Sequence, residues 1–163
     1  MVILGIDPGY GIVGYGVIEG ERQNFKPLDY GVIKTPADES LPQRLDRIVR
    51  GIELLTEKYK PDAIAIEELF FQNNQKTAIA VAEARGVILH TAYRYKNNLY
   101  EYTPMQIKMA LTGYGKADKR QIQEMVKLLL KLKSIPKPDD AADALAVAMT
   151  HAQTSVMTSL FKI

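Results

Sequence analysis

Residues 2–20 read VILGIDPGYGIVGYGVIEG, and this stretch decides the fold. The apolar run at 2–6 ends in Asp7 and is stopped by Pro8-Gly9, as a buried strand running into a turn would be. Residues 12–19, IVGYGVIE, mix glycine with β-formers, and Gly20-Glu21 follows as a turn. Residues 28–35, LDYGVIKT, give a third strand that pairs back as a meander, and Pro36 ends it.

Beyond this meander the period changes. Leu41, Leu45, Ile48, Ile52 and Leu55 step by four and three, one face of a helix, with Ser40 as its cap and Pro42 in its first turn. Pro61-Asp62 leads into a strand, AIAIE, whose last residue is Glu67. A second helix is expected at 75–95, a short strand at 98–102, a short helix opened by Pro104, a long helix at 118–133 and a last helix from Asp139. Strand–helix alternation after a meander implies an α/β fold, a mixed sheet with helices on its faces. A chain of 163 residues holds one such domain, expected at 1–153, with a flexible tail at 154–163.

Composition excludes several classes. There is no cysteine, so disulfides and thiolate zinc sites are ruled out. No apolar run reaches the ~18 residues of a membrane span, and the apolar N-terminus lacks the basic start of a signal peptide. A cytoplasmic setting is expected. Net charge is +2, but it is unevenly spread: residues 94–133 carry nine basic and three acidic side chains, +6, leaving −4 for the remainder. A basic face on an acidic body is the footprint of a nucleic-acid binder, or simply of a solvated helix surface.

In such sheets, sites form beyond the carboxyl ends of the strands. Asp7 ends the first strand and Glu67 the fourth, so parallel neighbours would bring the two carboxylates together. The alternative for Asp7 is an aspartate that only caps its turn. Asp140 and Asp143, in PDDAADALAVA, share one helix face at i, i+3, and Ala141 and Ala142 are small enough to let that helix press on the sheet. Asp140 is also an ordinary residue for a helix start. Four carboxylates in one cleft repel unless cations bind, and oxygen donors suit Mg²⁺ or Mn²⁺. His90 and His151 lie far apart in predicted helices and read as structural. No P-loop, nucleophile elbow or dinucleotide fingerprint is present.

The motifs GIDPG and GYGVI within 5–18, IAIEELFF at 64–71, ARGV at 84–87 and DDAADALAVAMTH at 139–151 resemble the RuvC family of Holliday junction resolvases, over about residues 1–153. The resemblance implies a ribonuclease H-like fold, a five-stranded mixed sheet with its second strand antiparallel. It implies Asp7, Glu67, Asp140 and Asp143 as catalytic ligands of two Mg²⁺ ions, with Mn²⁺ able to substitute and Asp7 bridging the pair. It implies a homodimer making paired symmetric nicks in four-way junction DNA, in recombination and repair, alongside a RuvA–RuvB branch-migration complex. Phe70 would stack on a junction base, or else be a core phenylalanine. Lys108 and Lys119 match DNA-contacting positions, with Lys116 and Arg120 as neighbours. The helix at 75–95 corresponds to the dimer interface, where Ile79, Val81, Ala82 and Ala84 would pack, or it packs on the sheet. Asn73 and Asn74 receive no role.

Three alternatives compete with this family. A YqgF-type relative acting on RNA is disfavoured by the Asp140–Asp143 pair and the dimer-type helix. An actin-like or sugar-kinase domain needs a second phosphate-binding domain. A non-catalytic junction binder gains nothing from four acids that repel phosphate.

Overall fold

The computed structural model describes residues 1–21, 24–69, 75–95, 98–154 and 160–163. The elements are β1 (Val2–Asp7), β2 (Ile12–Glu21), β3 (Asn24–Lys34), α1 (Leu41–Tyr59), β4 (Ala63–Glu67), α2 (Gln75–Tyr95), β5 (Leu99–Tyr102), α3 (Pro104–Thr112), α4 (Lys119–Leu129) and α5 (Asp139–Thr154). One sheet has the order β3-β2-β1-β4-β5. β2 runs antiparallel to β1 and β3, while β1, β4 and β5 are mutually parallel.

Alternation along the strands divides two cores. Leu4, Ile6, Ile64 and Ile66 face α1 and α2, where Ile48, Ile52, Ala84, Ile88 and Ala92 meet them. Ile3 and Ala65 face the other way, toward α3, α4 and α5. Side chains two apart on a strand share a face. Asp7 therefore continues the row of Ile3 and Gly5, and Glu67 continues the row of Ala63 and Ala65. Both acids belong to the α5 face.

α5 is the central helix of that layer. Every side chain from Ala141 to Ala152 is buried except Asp143. The sheet opposite it is cut away to glycine. A Cβ at Gly5 would lie 2.7 Å from the Ala148 nitrogen, one at Gly14 2.6 Å from the Asp140 carbonyl carbon, and one at Gly16 2.8 Å from Leu145 Cδ2. Those distances lie inside van der Waals contact, so only hydrogen at these three positions lets the helix sit where it does.

Two boundaries depart from expectation. β3 begins at Asn24, not at residue 28, because Pro27 lies on the edge strand and needs no donor on its open side. The register steps there: Val17 faces Asp29 and Ile18 faces Pro27, leaving Leu28 as a bulge. α4 stops at Leu129, not at 133. Lys131 adopts the left-handed region at φ 54°, and the Leu132 N–H donates back to the Lys127 carbonyl at 2.9 Å. The tail expected to fray lies partly outside the described residues, at 155–159. Residues 160–163 run along β5, with Glu101 N–H donating to the Phe161 carbonyl and Ile163 N–H to the Leu99 carbonyl. Among the described residues, no helix is long and apolar enough to cross a membrane.

Candidate active site

The carboxyl edge of the sheet gathers the four acids. β1 and β4 pair in parallel up to Ile6 and Ile66, so the next residues on the two strands are Asp7 and Glu67. Across β1, Asp7 pairs with Gly14, whose bare face receives the Asp140 backbone. The first turn of α5 is thereby laid over the strand end, and Asp143 follows one turn later. Two adjoining clefts, about 460 and 170 Å³, open here. Asp7, Pro8, Glu67, Glu68, Leu69, Pro104 and Asp143 line the first. The second shares Glu67, Pro104 and Asp143 and adds Lys108 and Lys119.

The electrostatics are those of crowded, partly dehydrated acids. Burial pushes the Asp7 carboxyl up to about 8, reinforced by Glu67, Asp143 and Asp140 and opposed by Lys119. Burial pushes Glu67 up to about 7, with Asp143 adding and Lys119 and Lys108 subtracting. Asp143 is also raised by burial, against the pull of Lys119. These are the desolvation and like-charge effects that mark sites poised to take a cation. The Lys119 Nζ donates to Asp143 Oδ2 at 2.9 Å and stands 3.7 Å from Asp139 Oδ2. Asp118, the N-cap of α4, fixes the start of this helix by accepting from Gln121 N–H.

A hard divalent ion fits this donor set. All four acids offer oxygen, and a dication offsets both their repulsion and the cost of burying them. Among the described residues, no group of three acidic or histidine side chains is already disposed to hold an ion. The acids are neighbours through their charges.

The expected DNA contacts divide. Lys108 and Lys119 sit in the site, beside Glu67 and Asp143. Lys116 is exposed on the α3–α4 turn, and Arg120 lines a different cleft, with Thr112, Tyr114 and Glu124. Phe70, Asn73 and Asn74 lie outside the described residues. On α2, Ala84 is fully buried against the sheet with Ile88 and Ala92, which corrects its expected place among interface residues. Ile79 and Ala82 are exposed and Val81 is half-buried. His151 is buried, its Nδ1 2.8 Å from the Tyr102 hydroxyl, while His90 is exposed. The residues that sequence reasoning missed are Gly5, Gly14 and Gly16. The i, i+2 spacing of glycine in GYG was their visible signal, since it puts two bare positions on one face.

This five-stranded sheet with one reversed strand, carrying acids at its carboxyl edge under a close-packed helix, defines a ribonuclease H-like nuclease. The family model described as crossover junction endodeoxyribonuclease RuvC matches residues 3–151. RuvC of Alkaliphilus oremlandii is 54% identical over 163 residues, 100% of this chain and 99% of the relative. Thermus thermophilus RuvC superimposes with a TM-score of 0.88 at 39% identity, covering 96% of each chain. The same organism's RuvC in complex with Holliday junction substrate gives 0.91 at 38% identity, again covering 96% of each chain. The chain belongs to the RuvC family of crossover junction endodeoxyribonucleases.

Proposed function

We propose that this chain resolves four-way DNA junctions by paired, symmetric phosphodiester hydrolysis, in recombination and repair. The observation that carries the reading is the convergence of Asp7 and Glu67, from adjacent parallel strands, with Asp140 and Asp143 of α5. Junction DNA as substrate rests on the RuvC relatives and on the likeness to the Thermus thermophilus junction complex.

Asp7, Glu67, Asp140 and Asp143 would hold two divalent ions, Mg²⁺ by preference and Mn²⁺ in its place. When bound, such ions supply positive charge where negative charge builds during in-line displacement at phosphorus. The rest falls to the chain's own side chains. Lys108 and Lys119 draw the scissile phosphate into the cleft that they line. No protein nucleophile is needed: water forms the new bond to phosphorus and the 3′ oxygen departs, leaving 5′-phosphate and 3′-hydroxyl ends.

Two cuts related by symmetry require two sites, so the working form is a homodimer. The exposed α2 face bearing Ile79 and Ala82, with Val81 beside it, is the surface assigned to the interface. Phe70 is assigned to base stacking, Lys116 and Arg120 to flanking phosphates, and a RuvA–RuvB motor in the cytoplasm to the upstream branch migration.

The test is cleavage of a labelled mobile four-way junction beside a matched linear duplex, with Mg²⁺. Symmetric nicks in the junction alone are expected. Equal nicking of the duplex, or no nicking of either, would contradict the reading.

A further inference from the structure

We propose that Arg44 of α1 is a positioning residue for catalysis, a strut that, through Tyr10 and Thr35, holds the loop that follows Asp7. The inference rests on the nuclease reading above and concerns a residue outside its carboxylate cluster.

Arg44 is 8% exposed, and among the described residues it makes no ion pair. Glu39, which feels its charge, is engaged by Arg47. An enclosed guanidinium without a carboxylate is costly, and an apolar side chain of similar volume would pack there at no such cost. The position therefore uses what an apolar residue lacks, a flat cation with directed donors.

Those features are engaged on one target. The guanidinium carbon lies 3.6 Å from the Tyr10 ring centroid, a stacked cation–π contact. Nε donates to Thr35 Oγ1 at 3.0 Å. The Thr35 hydroxyl donates to the Tyr10 carbonyl at 2.6 Å, and the Thr35 N–H to the Gly11 carbonyl at 3.0 Å. Three separate elements meet here: α1, the residue after β3, and the β1–β2 loop.

That loop starts directly after Asp7, and its first residue, Pro8, lines the cleft with Asp7. The far side of Asp7 is pinned by its pairing with Gly14. The Arg44–Thr35–Tyr10 linkage pins the near side. The side-chain charges that act on Asp7 come from Glu67, Asp143, Asp140 and Lys119, and not from Arg44. Its influence on Asp7 is thus geometric.

The experiment compares wild type, Arg44→Met, Arg44→Lys and Thr35→Val for junction cleavage, thermal stability and Mn²⁺ binding by calorimetry without DNA. Both Arg44 variants should lose about tenfold or more in kcat, as a small misplacement of a reacting group does. KM should stay within about twofold, since no substrate contact is removed. Mn²⁺ affinity should weaken in the same variants. Thr35→Val removes only a hydroxyl and should shift kcat and Mn²⁺ affinity the same way by a smaller factor, with the fold intact. Full activity in Arg44→Lys would reduce the contact to charge and overturn the proposal. So would a raised KM at unchanged kcat, or unaltered Mn²⁺ binding in Thr35→Val. Wild type that fails to cut junctions would instead sink the nuclease reading, and the Mn²⁺ titrations would still decide on Arg44.

Discussion

Gly14 of β2 and Asp140 of α5 meet backbone to backbone, at a separation that no side chain at position 14 permits. An added Cβ there would stand 2.6 Å from the Asp140 carbonyl carbon and 3.1 Å from its Cβ. Gly14 is also the sheet partner of Asp7. One glycine therefore sets how close the acids of α5 come to the acid of β1. Gly14→Ala should force the helix outward and cost about 1–3 kcal/mol of stability, as overpacking does. Cleavage should fall further, on the order of a hundredfold, because the carboxylates separate. Melting and cleavage measured together check this; wild-type cleavage at lowered stability would dissociate the contact from the site.

The crowded carboxylates carry a stability cost that depends on pH. Asp7 is raised from 3.8 to about 8 and Glu67 from 4.5 to about 7. The folded chain thus holds protons that the unfolded chain has released. This contribution is complete below about pH 4 and is lost as pH rises through 7 to 8. In chelator at pH 8, Asp7→Asn and Glu67→Gln should each stabilise the protein by at least about 1 kcal/mol, the value of one pKa unit. Urea unfolding at pH 8 reads the effect, and Mg²⁺ should narrow the difference. Destabilised variants would contradict it.

His151 works in the opposite direction. Burial lowers it from 6.5 to about 4 in the folded chain, where its Nδ1 meets the Tyr102 hydroxyl. Above pH 6.5 the ring is neutral in both states and its contribution is whole. As pH falls from 6.5 toward 4, only the unfolded chain takes up the proton, and stability drops by about 2 kcal/mol at pH 5. Unfolding curves at pH 7.5 and pH 5, in wild type and His151→Gln, should show a smaller loss in the variant. An equal loss would assign the pH dependence to other groups.

Lys108 lines the acidic cleft and has no acidic partner closer than ion-pair distance among the described residues. On the reading proposed above, it meets a phosphate. Lys108→Ala should weaken junction binding and lower the slope of log affinity against log salt by about 0.9, the value for one duplex phosphate contact. Binding titrations across a salt series measure it, and an unchanged slope would remove Lys108 from the contact.

Much of the site was readable because strands expose their logic in sequence. An apolar run ending in an acid, twice, placed Asp7 and Glu67 at strand ends, and alternation put both on one face. The 3.6 period of α1 and the span of α2 were equally plain. Features that depend on tertiary partners were not. The strand at 28–35 was read too short, because the edge position that tolerates Pro27 inside β3 is set by the sheet order. Ala84 looked like an interface residue because a small side chain reads alike in a core and on a surface. Lys116 and Arg120 neighbour Lys119 in sequence but leave the cleft, since the turn and helix around them point successive side chains in different directions. Arg44 gave no signal, because a charged residue in an amphipathic helix is ordinarily solvated.

On the proposed reading, the converging acids perform the cutting and are not needed to recognise the junction. Its most direct measurement pairs binding and cleavage for Asp7→Asn on a four-way junction with Mg²⁺. Junction affinity close to wild type is expected, with cleavage reduced below detection. Cleavage by Asp7→Asn at the wild-type rate would contradict it.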